Sequence, residues 1–186
     1  MRKAFPIALI FLGVVFLAGG GYALARGFDA RSDIKAELIA QNITTPEDAS
    51  IPNVRVDSAS TARSMAEIIN EHALESSGGK TFSEMGRFLA LDGAREGTSD
   101  AALAVKGPDG KPVANALRNT AFQASALQTS LYASVMAFGV ADLVLGLGVL
   151  MLALGLAVAG VGVALAGLAI PSFGRKFHVE PVAAGA

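Results

Sequence analysis

Residues Leu143 to Ile170 read LVLGLGVLMLALGLAVAGVGVALAGLAI, an apolar run without a charge or a proline. A helix of about 20 such residues crosses the hydrocarbon core of a bilayer. This run is long enough to cross with tilt to spare. A soluble core rarely uses an apolar segment of that length, so the run reads as a transmembrane helix. A second run, AFPIALIFLGVVFLAGGGYALA, covers Ala4 to Ala25 between Arg2-Lys3 and Arg26. It reads either as a retained membrane helix or as a secretory signal cut after Ala23-Leu24-Ala25. Small residues are so frequent here that the cleavage pattern discriminates little, and the retained anchor is preferred. Either way the segment that follows is sent outward.

Basic residues near the spans set orientation, with acidic residues counting for little. Arg2 and Lys3 flank the first span and Arg175 and Lys176 the second, so both termini read as cytoplasmic. Arg26, Arg31 and Lys35 on the other side oppose that reading. A third span would require Leu131 to Ile170 to turn back inside lipid. No polar turn follows Asp142, and unsatisfied backbone in hydrocarbon is costly. The expected organisation is a cytoplasmic N-terminus over 1–3, a first transmembrane helix over 4–25 and an extracytoplasmic helical domain over 26–130. A long helix over 131–170 then includes the second transmembrane helix, and a cytoplasmic tail covers 171–186. The fold class is mostly α: an integral cell-membrane protein with two transmembrane helices and a mainly helical loop domain outside.

The 26–130 segment has 105 residues, the size of one ordinary domain. It carries 11 Lys or Arg against 14 Asp or Glu, which lacks the basic stripe a nucleic-acid surface needs. The chain has no cysteine, so disulfides, thiolate zinc sites and iron–sulfur clusters are excluded. The helical pattern after Arg26 continues to about Asn42. Thr45-Pro46-Glu47-Asp48 has the form of a helix start, with a capping hydroxyl, proline at the first position and acids in the first turn. Asp57 and Ser58 cap a helix reaching about Ser76, with Ala62, Met65, Ile69 and His72 on one stripe, and Gly78-Gly79 stops it. Thr81-Phe82-Ser83-Glu84 is a capping box for a short helix presenting Phe82, Met85 and Leu89 and ending near Gly93. Lys106 to Lys111 is a turn, read as a small hairpin between Leu103 and Val113. Nothing breaks a helix from Asn115 to Pro171, where Leu117, Ala121, Ala124, Leu131, Val135 and Phe138 keep near-heptad spacing.

Few residues carry chemistry. Gly79-Lys80-Thr81 resembles the end of a phosphate-binding loop, but the glycine required five positions before the second one is Leu74, and a helix rather than a strand precedes it. His72 and His178 are the only histidines. A non-haem iron centre wants two histidines and a carboxylate on one metal, and these two fall on opposite faces of a bilayer, ~30 Å apart. No metal or cofactor is expected. His72 remains a minor candidate for acid–base work beside Glu71 or Glu75. Asp142 lies among Phe138, Val140, Leu143 and Val144 at the outer entrance of the second span. Charged residues inside a membrane usually face protein or water, so Asp142 is either solvated at headgroup level or paired, with Arg26 as the expected partner. Gly155 with Ala159, Gly160 with Ala164 and Gly162 with Ala166 are small pairs four apart that allow close helix approach. They would pack against Gly13, Ala18, Gly19 and Gly20 of the first helix, another copy or a different subunit.

Several stretches resemble a family of small actinobacterial two-span membrane proteins. They are Ala40 to Ile43 with Thr45 to Asp48, Ile69 to Glu75 with Gly78 to Thr81 and Glu84-Met85, and Thr129 to Leu131 with Ser134 to Phe138 and Val140 to Val144. The resemblance implies two membrane helices and an outer loop, and it carries over no catalytic residues. Members often bear the label aromatic ring-opening dioxygenase, which the ligand argument above does not support. The leading expectation is therefore a non-enzymatic membrane protein that presents its outer domain to a membrane-protein partner or to its own copies, in contact with lipid. The alternatives are an oligomeric transport or channel component using Asp142, and an outer-face enzyme using His72.

Overall fold

The computed structural model describes residues 4–169, so Pro171, His178 and the expected tail lie outside the described residues. Helix α1 covers Ala4–Ala40, α2 covers Ala59–Ser77, and α3 covers Ala116–Ala169, with one 3-10 turn at Phe82–Glu84. No β-strand occurs among the described residues; isolated bridges such as Thr44 with Arg55 and Lys106 with Pro112 tie the loops. Two compact units result. One is Ser32–Gly139; the other joins the residues up to Arg31 with those from Val140 onward. The unit boundaries, 31/32 and 139/140, fall within α1 and α3, which run unbroken through residues 26 and 130.

In the two-helix unit α1 and α3 run antiparallel. A Cβ added at Gly13 would lie 2.6 Å from the backbone nitrogen of Ala159, and one at Gly155 would lie 2.9 Å from the carbonyl of Gly13. Gly20 lies against Gly148 and Leu152, Gly27 against Leu145, and Gly162 against Ile10. Each step along one helix is matched by an equal step back along the other. Gly13, Gly20 and Gly27 recur every seven residues, as do Gly148, Gly155 and Gly162. That spacing keeps one stripe facing a partner in a left-handed helix pair. Glycine there lets the two backbones touch, so van der Waals contact rather than side-chain interlock holds them.

The middle unit is built around Leu38, Val56, Ala62, Ala66, Leu131 and Phe138. Ser58 caps α2 by accepting from the Thr61 amide at 3.3 Å, and Gly78 ends it in the left-handed region at φ 70°. Leu117, Ala121, Ala124, Leu131, Val135 and Phe138 of α3 are all buried or half-buried, as the near-heptad spacing predicts. Two expected helices are absent. Thr45-Pro46-Glu47-Asp48 forms a turn, because Thr45 is buried and spends its hydroxyl on the backbone of Val54 across the loop. The segment from Thr81 forms only the 3-10 turn. Beyond it Phe88 bridges to both Thr98 and Ala114, and Ala90 bridges to Ala104, pairings that draw the backbone out of a helix. The Lys106 to Lys111 turn is present, closed by the Gly107 amide on the Lys111 carbonyl at 2.9 Å.

Candidate functional site

Asp142 pairs with Arg31, and Arg26 does not reach it. Arg26 instead lies 3.8 Å from Asp29, one turn along its own helix. The seam explains the exchange. Gly27 faces Leu145, so the next seam position up α1 falls at Arg31, opposite Ala141 and Asp142. Arg26 sits one residue off the seam, about 100° around the helix. Both members of the Arg31–Asp142 pair are about half exposed, at 48% and 54% of their side-chain surface.

The three small-residue pairs separate by face. Gly155 and Ala159 touch Gly13, and Gly162 lies against Ile10, with Ala166 buried nearby. Gly160 meets nothing within 4 Å, and Ala164 is exposed. Gly13, Gly19 and Gly20 of α1 face α3, whereas Ala18 is exposed.

His72 sits past the buried part of the α2 stripe, where Ala62 is buried and Met65 and Ile69 are half-buried. Its Nε2 is 2.7 Å from Asp48 Oδ2, with both side chains more than half exposed. This hydrogen bond, helped by the neighbouring charge, holds the Asp48 carboxyl below the usual carboxylate range. A depressed carboxylate contributes stability above its unfolded pKa of ~3.9 and loses it as pH falls through the folded value, so the contribution of Asp48 is lost in acid. Exposed pairs are screened and contribute little. His72→Ala is accordingly expected to shift the unfolding midpoint at pH 7 by less than about 2 °C, read by circular dichroism; a larger loss would give the clip a structural weight this geometry does not support.

Gly79-Lys80-Thr81 follows the left-handed end of α2 directly, with Gly79 itself at φ 83°. The Thr81 amide donates to Glu84 Oε2 at 2.8 Å and the Thr81 hydroxyl to the same oxygen at 2.7 Å. Those bonds hold the Glu84 carboxyl below its ordinary range. Among the described residues, no group of three or more His, Cys, Asp or Glu side chains is placed so that it could hold a metal ion.

One organising residue has only half a signature in the sequence. Asn115 is 3% exposed. Its Nδ2 donates to the carbonyls of Gly86 at 3.2 Å and Glu96 at 3.1 Å, while its Oδ1 accepts from the Leu117 amide at 3.1 Å. An asparagine before a helical stretch signals an N-cap. Nothing local announces the two carbonyls it gathers from the long loop. Beside it, Arg118 donates from Nε to the Met85 carbonyl at 3.0 Å and lies 4.1 Å over the Phe82 ring. Phe82 in turn packs on Phe122 with ring centres 5.3 Å apart.

Comparison with protein-family models, with curated proteins and with solved structures finds no match for this chain.

Proposed function

We propose that this chain is a two-span membrane protein whose helical middle unit stands outside the membrane for association with a membrane-protein partner or with its own copies. One observation carries the reading. The most apolar windows of α1 and α3 are only 11% and 17% buried, although both are long and apolar enough to cross a bilayer. A core helix of a soluble protein buries such a surface against protein. Here Phe11, Val14, Leu147, Leu154 and Leu156 remain exposed, and lipid is the solvent that suits them. The seam also favours a retained first helix. Cleavage after Ala25 would remove Gly13 and Gly20 and leave the facing backbone of α3 without its contact. The open face bearing Gly160 and Ala164 offers a close-approach surface for a further helix, which supports the association half of the reading. Pairing of Asp142 with Arg31 favours a structural role for that aspartate over ion conduction.

The chain has no native cysteine, so single cysteines report topology directly. Ser76→Cys, on exposed α2 surface, is expected to react with an impermeant maleimide in intact cells, and His178→Cys only after the membrane is opened. The reverse pattern would invert the orientation, and equal reactivity of both would remove the two-span reading. Native mass spectrometry of the protein drawn from its own membranes tests association. A homo-oligomer or a stoichiometric foreign subunit is expected, whereas a bare monomer would remove that half.

A further inference from the structure

Two surface cavities of the Ser32–Gly139 unit share Phe82 as a wall. The larger, of about 520 Å³, is bordered by Arg87, Arg118, Phe122, Asn119 and the capping residue Asn115. The smaller, of about 290 Å³, has Lys80, Asn70, Ser125 and Gln128 around it. The unit as a whole is acidic, with 9 Lys or Arg against 13 Asp or Glu. None of those carboxylates lines either cavity, while three of the cations do. Two further cavities of the same unit carry acids instead: Asp92 and Glu96 line one, Asp33 and Glu37 the other. Among these four cavities the signs are separated.

The larger cavity is also organised in detail. The cation–π contact with Phe82 and the bond from Nε to Met85 hold the Arg118 guanidinium in place. The two terminal nitrogens keep the forked donors that match an oxyanion. Arg87 brings a second guanidinium, lying 5.5 Å over the Phe88 ring. The Phe82–Phe122 pair supplies an apolar wall beside these charges. The first turn of α3 borders the same space through Ala116, adding the positive end of a helix dipole. Cavities of this size with an apolar wall and a few directed polar groups suit small molecules. We propose that this cavity binds a small organic anion, an aryl or alkyl group bearing a phosphate or carboxylate, with Arg87 and Arg118 on the oxyanion and Phe82 and Phe122 on the apolar part.

Calorimetric titration of the full chain in mild detergent at low ionic strength tests this, with phenyl phosphate and benzoate as probes. Saturable binding of at least one of them is expected, and the tighter one names the oxyanion. Arg87→Gln should weaken it about tenfold, the effect of losing one charge-assisted contact. Arg118→Lys, which keeps the charge and loses the fork, should weaken it similarly. Inorganic phosphate should bind about tenfold more weakly than phenyl phosphate if phosphate is preferred, because the ring contact is missing. Arg95→Gln, which lies outside both cavities, should change nothing. No saturable binding of either probe, full affinity in both cavity variants, or an equal loss in Arg95→Gln would overturn the proposal.

Discussion

Gly13→Ala and Gly155→Ala are each expected to lower the unfolding midpoint of the detergent-solubilised monomer by roughly 3–8 °C, while Gly160→Ala, whose face is uncovered in the monomer, leaves it unchanged or slightly raises it. All three exchanges add one methyl group in a helix, and helix propensity alone favours alanine by about 0.5–1 kcal/mol. The sign is set by what the methyl meets. At Gly13 it would sit 2.6 Å from the Ala159 backbone, and at Gly155 it would sit 2.9 Å from the Gly13 carbonyl. Backbone cannot swing aside as the end of a side chain can, so the helices must separate along the seam. Overpacking of that kind typically costs about 1–3 kcal/mol. Gly160 has nothing within 4 Å and meets no such cost. Because Gly13 and Gly155 touch the same contact, the double substitution should cost less than the two single ones together. Thermal unfolding followed by circular dichroism measures all four. If Gly155→Ala and Gly160→Ala behave alike, the glycine seam does not hold the two helices.

The same residues show how far sequence reading reaches. A charge-free run announces a long apolar helix whatever surrounds it, because length and composition are local properties, and both long helices were legible on those grounds. Ser58 and Gly78-Gly79 likewise bound α2, since caps act within one turn. The choice among Gly155–Ala159, Gly160–Ala164 and Gly162–Ala166 was not legible. Small residues occur on every side of α3, and only the register of α1 decides which of them are covered. That register also gives Asp142 to Arg31 rather than to the expected Arg26. Thr45 carries every local mark of a helix start and still makes a turn, because Val54, nine residues on, takes its hydroxyl. Local signals fail at the points where a distant segment competes for the same polar group.

Asn115 is the strongest such point, and replacing it is expected to be the most damaging polar exchange in the middle unit. Asn115→Ala removes the helix cap, worth about 1 kcal/mol. It also strands the buried carbonyl of Gly86, at about 1–3 kcal/mol, whereas the Glu96 carbonyl keeps its bond from the Gly86 amide at 2.7 Å. These losses overlap, and a net cost of about 2–4 kcal/mol is expected, or roughly 5–15 °C in the unfolding midpoint. Asn115→Asp separates the two roles. Its carboxylate can still accept from the Leu117 amide, so the cap survives, but a second acceptor now faces two carbonyl oxygens. Acceptors around a carboxylate disfavour its charged form and raise its pKa in the folded state. A group whose folded pKa is raised binds a proton more tightly in the native protein than in the unfolded chain, so the variant gains stability as pH falls through that value. The deficit of Asn115→Asp against the native chain should therefore shrink between pH 8 and pH 5, whereas that of Asn115→Ala should stay nearly constant. Unfolding midpoints of the three proteins at the two pH values decide the matter. A deficit for Asn115→Asp that is small at pH 8, or that grows in acid, would mean that the side-chain amide is not what ties the loop to the start of α3.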